Sequence, residues 1–139
     1  MTQFSLDLLL VNRYMRRHRE IFMEQYGLKG IHGRIILTIC HNPGSSQDRL
    51  AAIVHLDKST VARGVETLEN QGFVTRKPAQ NNKRILCVYP TEKAEQLLPK
   101  LVAAMQDWEN SLVKDLTEEE KQQLQGLLAR VRATAEGGK

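Results

Sequence analysis

Cysteine is scarce in this chain of 139 residues: only Cys40 and Cys87 occur, both inside apolar runs. A framework stapled by disulfides is not expected, and the two thiols read as core packing in a reducing cytoplasm. No apolar run approaches the roughly 20 residues that a membrane-spanning helix needs. The start, Met1-Thr2-Gln3-Phe4-Ser5, lacks the basic-then-apolar order of a signal peptide, so a cytoplasmic protein without a membrane partner is expected. Chemistry-bearing motifs are missing too. His18, His32, His41 and His55 show neither HExxH nor paired-cysteine spacing, and nothing resembles a glycine-rich phosphate loop or a nucleophile elbow. Enzyme function, catalytic residues, a metal and a cofactor are therefore not expected. Repeats and low-complexity segments are absent, and only Glu136-Gly137-Gly138-Lys139 reads as a frayed tail.

What is present suits one domain with a modest core. The formal net charge of +4 and pI near 9.2 permit nucleic-acid binding without demanding it. The distribution says more. Lys and Arg outnumber acids six to three over residues 1–44 and seven to four over 45–91, whereas acids lead nine to seven over 92–139. No carboxylate occurs between Glu69 and Glu92, while Arg76, Lys77, Lys83 and Arg84 fall inside that gap. A local cation excess of this kind is what a phosphate backbone requires.

Apolar periodicity lays out the elements. Leu6, Leu9, Leu10, Tyr14, Ile21, Phe22 and Tyr26 recur near helical spacing and predict a long first helix ending at Gly27. A second helix is expected from His32 or Gly33 to His41, largely buried through Ile35, Ile36, Leu37 and Ile39, and stopped by Asn42-Pro43-Gly44. A third opens at Ser45 or Ser46, where Ser45 and Asp48 fit a loose capping box, and buries Leu50, Ala51 and Val54. His55-Leu56 forms a turn, and Asp57 caps a fourth helix. In that helix Val61, Val65 and Leu68 fall within about 60° of one another at 100° per residue, so one side packs. The other presents Ser59, Arg63, Thr67 and Asn70, with Lys58 and Thr60 at its start.

Gly72 ends the fourth helix, and a strand begins at Phe73-Val74-Thr75-Arg76. Ala79 to Asn82 is turn material, and a second strand is expected over Arg84–Tyr89. Thr91 then caps a fifth helix bearing Leu97, Leu98, Leu101, Val102, Met105 and Trp108, kinked by Pro99. Thr117 and Glu120 form a capping box for a sixth helix carrying Leu124, Leu127, Leu128 and Val131. The fold class is mainly α with a small β-hairpin (α+β): a winged helix-turn-helix flanked by long N- and C-terminal helices.

These residues resemble the MarR (multiple antibiotic resistance regulator) family of transcription factors over nearly the whole chain. The resemblance rests on Ser46-Gln47-Asp48-Arg49-Leu50-Ala51, on Asp57-Lys58-Ser59-Thr60-Val61-Ala62-Arg63 and on Leu68-Glu69-Asn70-Gln71-Gly72-Phe73-Val74-Thr75-Arg76. The wing ending in Arg84 to Thr91 and two long helices complete it. It implies a single domain over 1–139, with a DNA-binding lobe at 32–91 and dimerisation helices at 4–27 and 91–135. Such a homodimer is a repressor on a pseudo-palindromic operator in double-stranded DNA, with half-sites about 10 bp apart. A winged-helix module that binds protein and not DNA is the alternative.

Two departures from the family pattern stand out. Asn82-Lys83-Arg84 occupies the place of the usual Asp-Arg-Arg, so the wing loses a charge-assisted anchor and a planar guanidinium fork. Gly64 stands mid-helix, where glycine costs about 1 kcal/mol relative to alanine. Either it admits a close approach to DNA or to another helix, or it is a tolerated small residue.

Roles follow residue by residue. Ser46, Gln47, Ser59 and Thr60 sit at helix starts, where phosphates bind. Arg63, flanked by Thr67, is the base-edge candidate, since a guanidinium takes guanine O6 and N7 together. Lys58, Lys83 and Arg76 read as backbone contacts, Arg76 alternatively as an ion-pair partner within the wing, and Arg84 reads as a minor-groove contact. The resemblance further implies a small aromatic or phenolic effector held near Arg13, Arg16, His32 and Trp108, with Trp108 alternatively in the dimer core.

Overall fold

Asp57, Ser46 and Thr117 each start a helix by the same device: a side-chain oxygen accepts the amide of the third residue along, Thr60, Arg49 and Glu120 respectively. The computed structural model describes residues 1–138, which divide into two compact units, 1–105 and 106–138.

The first unit opens with α1 (Gln3–Glu24), capped by Thr2. It ends three residues before the expected Gly27, whose φ of +69° carries the chain into the following turn. Helix α2 (Gly30–His41) starts two or three residues earlier than expected and is closed on its buried side by Ile35, Ile36 and Ile39. Strand β1 (Ser45–Ser46) follows, then α3 (Gln47–Val54), α4 (Lys58–Asn70), β2 (Val74–Pro78) and β3 (Leu86–Pro90). The sheet order is β1-β3-β2, antiparallel throughout, with Ser46 opposite Cys87 and Arg76 opposite Val88. The first turns of α5 (Glu92–Leu112) complete the unit.

Val61, Val65 and Leu68 are fully buried, as their spacing requires, among Ile35, Ile36, Leu50, Phe73, Val88, Leu97 and Leu101. Burial of each such side chain is worth about 1.5–3 kcal/mol, so this face seats α4 firmly. Cys40 packs against the same core, and Cys87 is half-buried.

The expected hairpin forms from β2 and β3 and gains β1, because the backbone of Ser45–Ser46 pairs with β3. Three expectations are corrected. Ser46, not Ser45, caps α3; Ser45 is buried in the sheet. The second wing strand begins at Leu86, since Arg84 and Ile85 are held in a turn whose Asn82 side chain and carbonyl accept their two amides. Thr91 precedes α5, but its hydroxyl donates to the Gly72 carbonyl at 2.6 Å, tying α5 to the end of α4. Helix α5 runs through Pro99.

In the second unit, α5 ends at Leu112 and α6 (Glu118–Gly137) begins with the expected Thr117–Glu120 box, which satisfies two amides reciprocally. Leu124, Leu127, Leu128 and Val131 of α6 are exposed, and the helix buries no residue. No helix among the described residues is long and apolar enough to cross a membrane.

Candidate nucleic-acid interface

Helix α4 exposes Ser59, Arg63 and Asn70 to solvent, with Thr60 and Thr67 half-buried at its margins. The amino end of the helix is polar and internally bonded. Asp57 accepts from the Thr60 amide at 2.6 Å, the Ser59 hydroxyl at 2.9 Å and the Thr60 hydroxyl at 2.8 Å. The Thr60 amide, then the two hydroxyls, lower the Asp57 carboxyl to about 2. Ser59 and Thr60, expected to donate to phosphate, thus already donate to Asp57, which holds both at the helix start. Arg63 reaches back to the Thr60 hydroxyl at 3.4 Å, a weak contact that leaves the guanidinium extended along the exposed face. Lys58 lies 3.4 Å from Asp48 of α3, both side chains well exposed, so the pair joins the two helix starts at little energetic value.

Gln47 and Arg76 are brought together. Arg76 on β2 donates through Nε and Nη2 to one Glu69 oxygen, at 3.2 and 2.8 Å, and through Nη1 to Gln47 Oε1 at 3.3 Å. One guanidinium therefore binds the sheet to the far end of α4 and to the start of α3. Its hydrogen bonds lower the Glu69 carboxyl and raise Arg76 itself. Arg76 occupies the ion-pair position that was one of its two readings, and its partner is α4, not the wing. Ser46, Lys83 and Arg84 remain near or on the surface, the last two on the wing loop between β2 and β3. The Arg84 amide bonds the Asn82 side chain at 3.1 Å, so Asn82 anchors the backbone of the wing loop and not the Arg84 guanidinium.

Gly64 faces inward. A Cβ there would lie 2.5 Å from Ile35 Cδ1, so α4 and α2 touch through the missing side chain. Of the two kinds of close approach, the structure shows that to another helix.

Of the residues expected to hold an effector, Arg16 borders a cavity of the first unit. This cavity of about 510 Å³ is also lined by Arg19, Glu20 and Arg34, which sequence reasoning missed; Arg13 and His32 do not line it. His32 is buried, accepts the Lys29 amide on Nδ1 at 2.9 Å, and is pushed below its ordinary value by burial and then by Lys29. Trp108 belongs to the second unit.

Comparison with known proteins places this geometry. A family model described as the MarR family matches residues 26–85, from the turn after α1 to the wing. The chain is 36% identical over 101 residues to the uncharacterised HTH-type transcriptional regulator YybA of Bacillus subtilis (strain 168), covering 73% of this chain and 67% of that one. The chain belongs to the MarR family. The HTH-type transcriptional regulator BilQ of Clostridium symbiosum (strain WAL-14163) is likewise 36% identical over 101 residues, 73% of this chain and 70% of its own. Among solved structures, a MarR-family regulator from Listeria monocytogenes complexed with 26mer DNA superposes with TM-score 0.88 at 27% identity, covering 96% of this chain and 89% of that one. As a MarR-family member the chain is a transcriptional regulator and not an enzyme.

Proposed function

We propose that this MarR-family chain binds a pseudo-palindromic operator in double-stranded DNA as a homodimer, in the cytoplasm, and represses transcription until a small effector binds. The observation that carries the reading is the two-sided α4. Val61, Val65 and Leu68 fix it to the core, while Ser59, Arg63 and Asn70 point away beside a sheet and wing with no carboxylate from residue 70 to 91. The Listeria relative crystallised with DNA supports the same use of the surface.

In this reading residues 32–91 are the DNA-binding lobe of one domain, and 4–27 and 91–135 supply the dimer helices. Exposed apolar side chains support a second copy as their cover: Phe4, Leu8, Leu9 and Val11 on α1, and Leu127, Leu128 and Val131 on α6. Patches of this kind mark association surfaces. Arg63 takes a base edge in the major groove. Ser46, Lys58 and Lys83 meet phosphates, Ser59 and Thr60 do so by exchanging their hydroxyl bonds to Asp57, Thr67 borders the groove, and Arg84 enters the minor groove from the wing. Gln47 and Arg76 hold the reading surface in register through Glu69.

Recovering genomic fragments retained by the protein, then footprinting the tightest, tests the proposal. Two protected patches about 10 bp apart, related by pseudo-two-fold symmetry, are expected. A single patch, or fragments with no common sequence, contradicts it.

A further inference from the structure

We propose that the cavity between α1, α2 and the α3–α4 turn takes a compact polyanion, of phosphate or polycarboxylate chemistry, which draws Arg34 away from α3 and loosens the reading head. This deepens the effector-responsive reading above and rests on it for its regulatory meaning.

Charge identifies the ligand class. Arg16 and Arg19 of α1 and Arg34 of α2 share the cavity with one carboxylate, Glu20. Among the described residues none of the three guanidiniums forms an ion pair. Glu20 is turned to the first residue of α2: its Oε1 lies 3.0 Å from where a Gly30 Cβ would stand. Arg19 is lowered from its ordinary value by burial, then by Arg34 and Arg16, so the three cations oppose one another and an anion among them relieves the repulsion. Gly30, the first residue of α2, also borders the cavity and adds the positive end of that helix.

Shape and lining narrow the class. About 510 Å³ accommodates a small ligand, and guanidinium forks match phosphate and carboxylate oxygens in pairs. No aromatic ring lines the cavity, whose apolar share comes from Ile31 and Leu56. A phenolic acid has no ring to stack on here, so the aromatic effector expected from the family resemblance is a poorer fit to this cavity than a compact polyanion.

A lever leads from the cavity to the DNA-facing helices. Arg34 Nη2 donates to the Val54 carbonyl at 2.6 Å, satisfying a terminal acceptor of α3 and setting a cation at the negative end of that helix. His55 follows with φ +57°, a left-handed conformation unusual for a residue with a side chain, and Leu56 returns to the cavity wall. An anion that accepts from Arg34 competes with Val54 and removes the clamp from a turn that is already strained.

The test uses full-length, DNA-free protein, with inorganic pyrophosphate and citrate as probes at constant ionic strength. Calorimetry should show saturable binding of at least one probe, weakened about tenfold or more by Arg19→Gln and partly restored by Arg19→Lys. Amide exchange at residues 54–57 should accelerate on saturation in the parent. In Arg34→Gln it should already be fast and unresponsive. Arg63→Ala, on the DNA-facing side, should bind the probes as the parent does. No binding by the parent, equal binding by Arg19→Gln, loss of binding in Arg63→Ala, or unchanged exchange on saturation overturns the proposal. Every readout is taken without DNA, so a failure to bind operator contradicts the operator reading alone.

Discussion

Gly64 of α4 lies against Ile35 of α2 so closely that a Cβ on the glycine would stand 2.5 Å from the isoleucine Cδ1. The helix propensity lost at Gly64, about 1 kcal/mol, is thus exchanged for a closer seat of the reading helix on the core. Gly64→Ala should therefore lower stability despite its better propensity, by about 1–3 kcal/mol of overpacking less that gain. Ile35→Val, which deletes the clashing methyl, should restore much of the loss in the double variant. Urea melts at one fixed protein concentration check this, and additive single and double effects would show that the two residues do not meet.

Arg76 should act through position. Its pair with Glu69 is only partly shielded, with 24% and 35% of the side chains exposed, so its loss should cost about 1 kcal/mol or less in stability. Arg76→Gln should nevertheless weaken binding to all duplexes by a similar factor, because Glu69 and Gln47 lose their common tie. Arg76→Lys should rescue poorly, since an ammonium cannot reproduce the fork that reaches both partners. Binding isotherms on operator and scrambled duplex decide it, and full rescue by lysine would assign Arg76 to simple phosphate attraction.

Asp57 sets an acid limit on α4. Its carboxyl is depressed from an ordinary 3.8 to about 2, so the cap stabilises the fold fully above the ordinary value and is lost as pH falls through about 2. Glu69 is depressed as well, with the same sign. The Asp57 carboxyl carbon resonance should therefore stay at its ionised position from about pH 5 to about pH 3. A midpoint near the ordinary value would show that the Thr60 and Ser59 hydrogen bonds do not form in solution. Asp57→Ala should lower the melting temperature at neutral pH, whereas Asp57→Asn should retain part of the cap.

What the sequence disclosed was decided by local physics. Asp57, Thr117 with Glu120, Gly72 and the Val61, Val65, Leu68 stripe each act within a few residues of themselves, and all appear as their patterns imply. The features it concealed depend on partners distant in the chain. Strand β1 is two residues long, too short for any alternation to show, and exists because β3 offers it a ladder. The Thr91 hydroxyl is drawn to Gly72, nineteen positions away, instead of to its own helix. Gly64 left three meanings open until Ile35 was opposite it. Arg19 and Arg34 were overlooked for the same reason, since helical periodicity tells which residues share a stripe but not which stripes converge on a cavity.

If α4 and the wing read DNA as proposed, Arg63 and Lys83 should separate base reading from phosphate attraction. Arg63→Ala should relax preference at one base position in each half-site, at a cost of about 1–3 kcal/mol for the preferred sequence. Lys83→Ala should weaken operator and random duplex alike and reduce the salt slope by about 1. Competition binding on single-base operator variants distinguishes them, and exchanged phenotypes would reverse the two roles.

In the proposed function, α4 and the wing bind double-stranded DNA specifically through a dimer. A salt titration of affinity for a genomic fragment that the protein retains, beside a scrambled duplex of equal length, tests it most directly. Two protomers per fragment are expected, with clear preference over the scrambled duplex and a fall in affinity on the order of 10³-fold between about 50 and 200 mM salt. Binding that ignores sequence and barely responds to salt would contradict it.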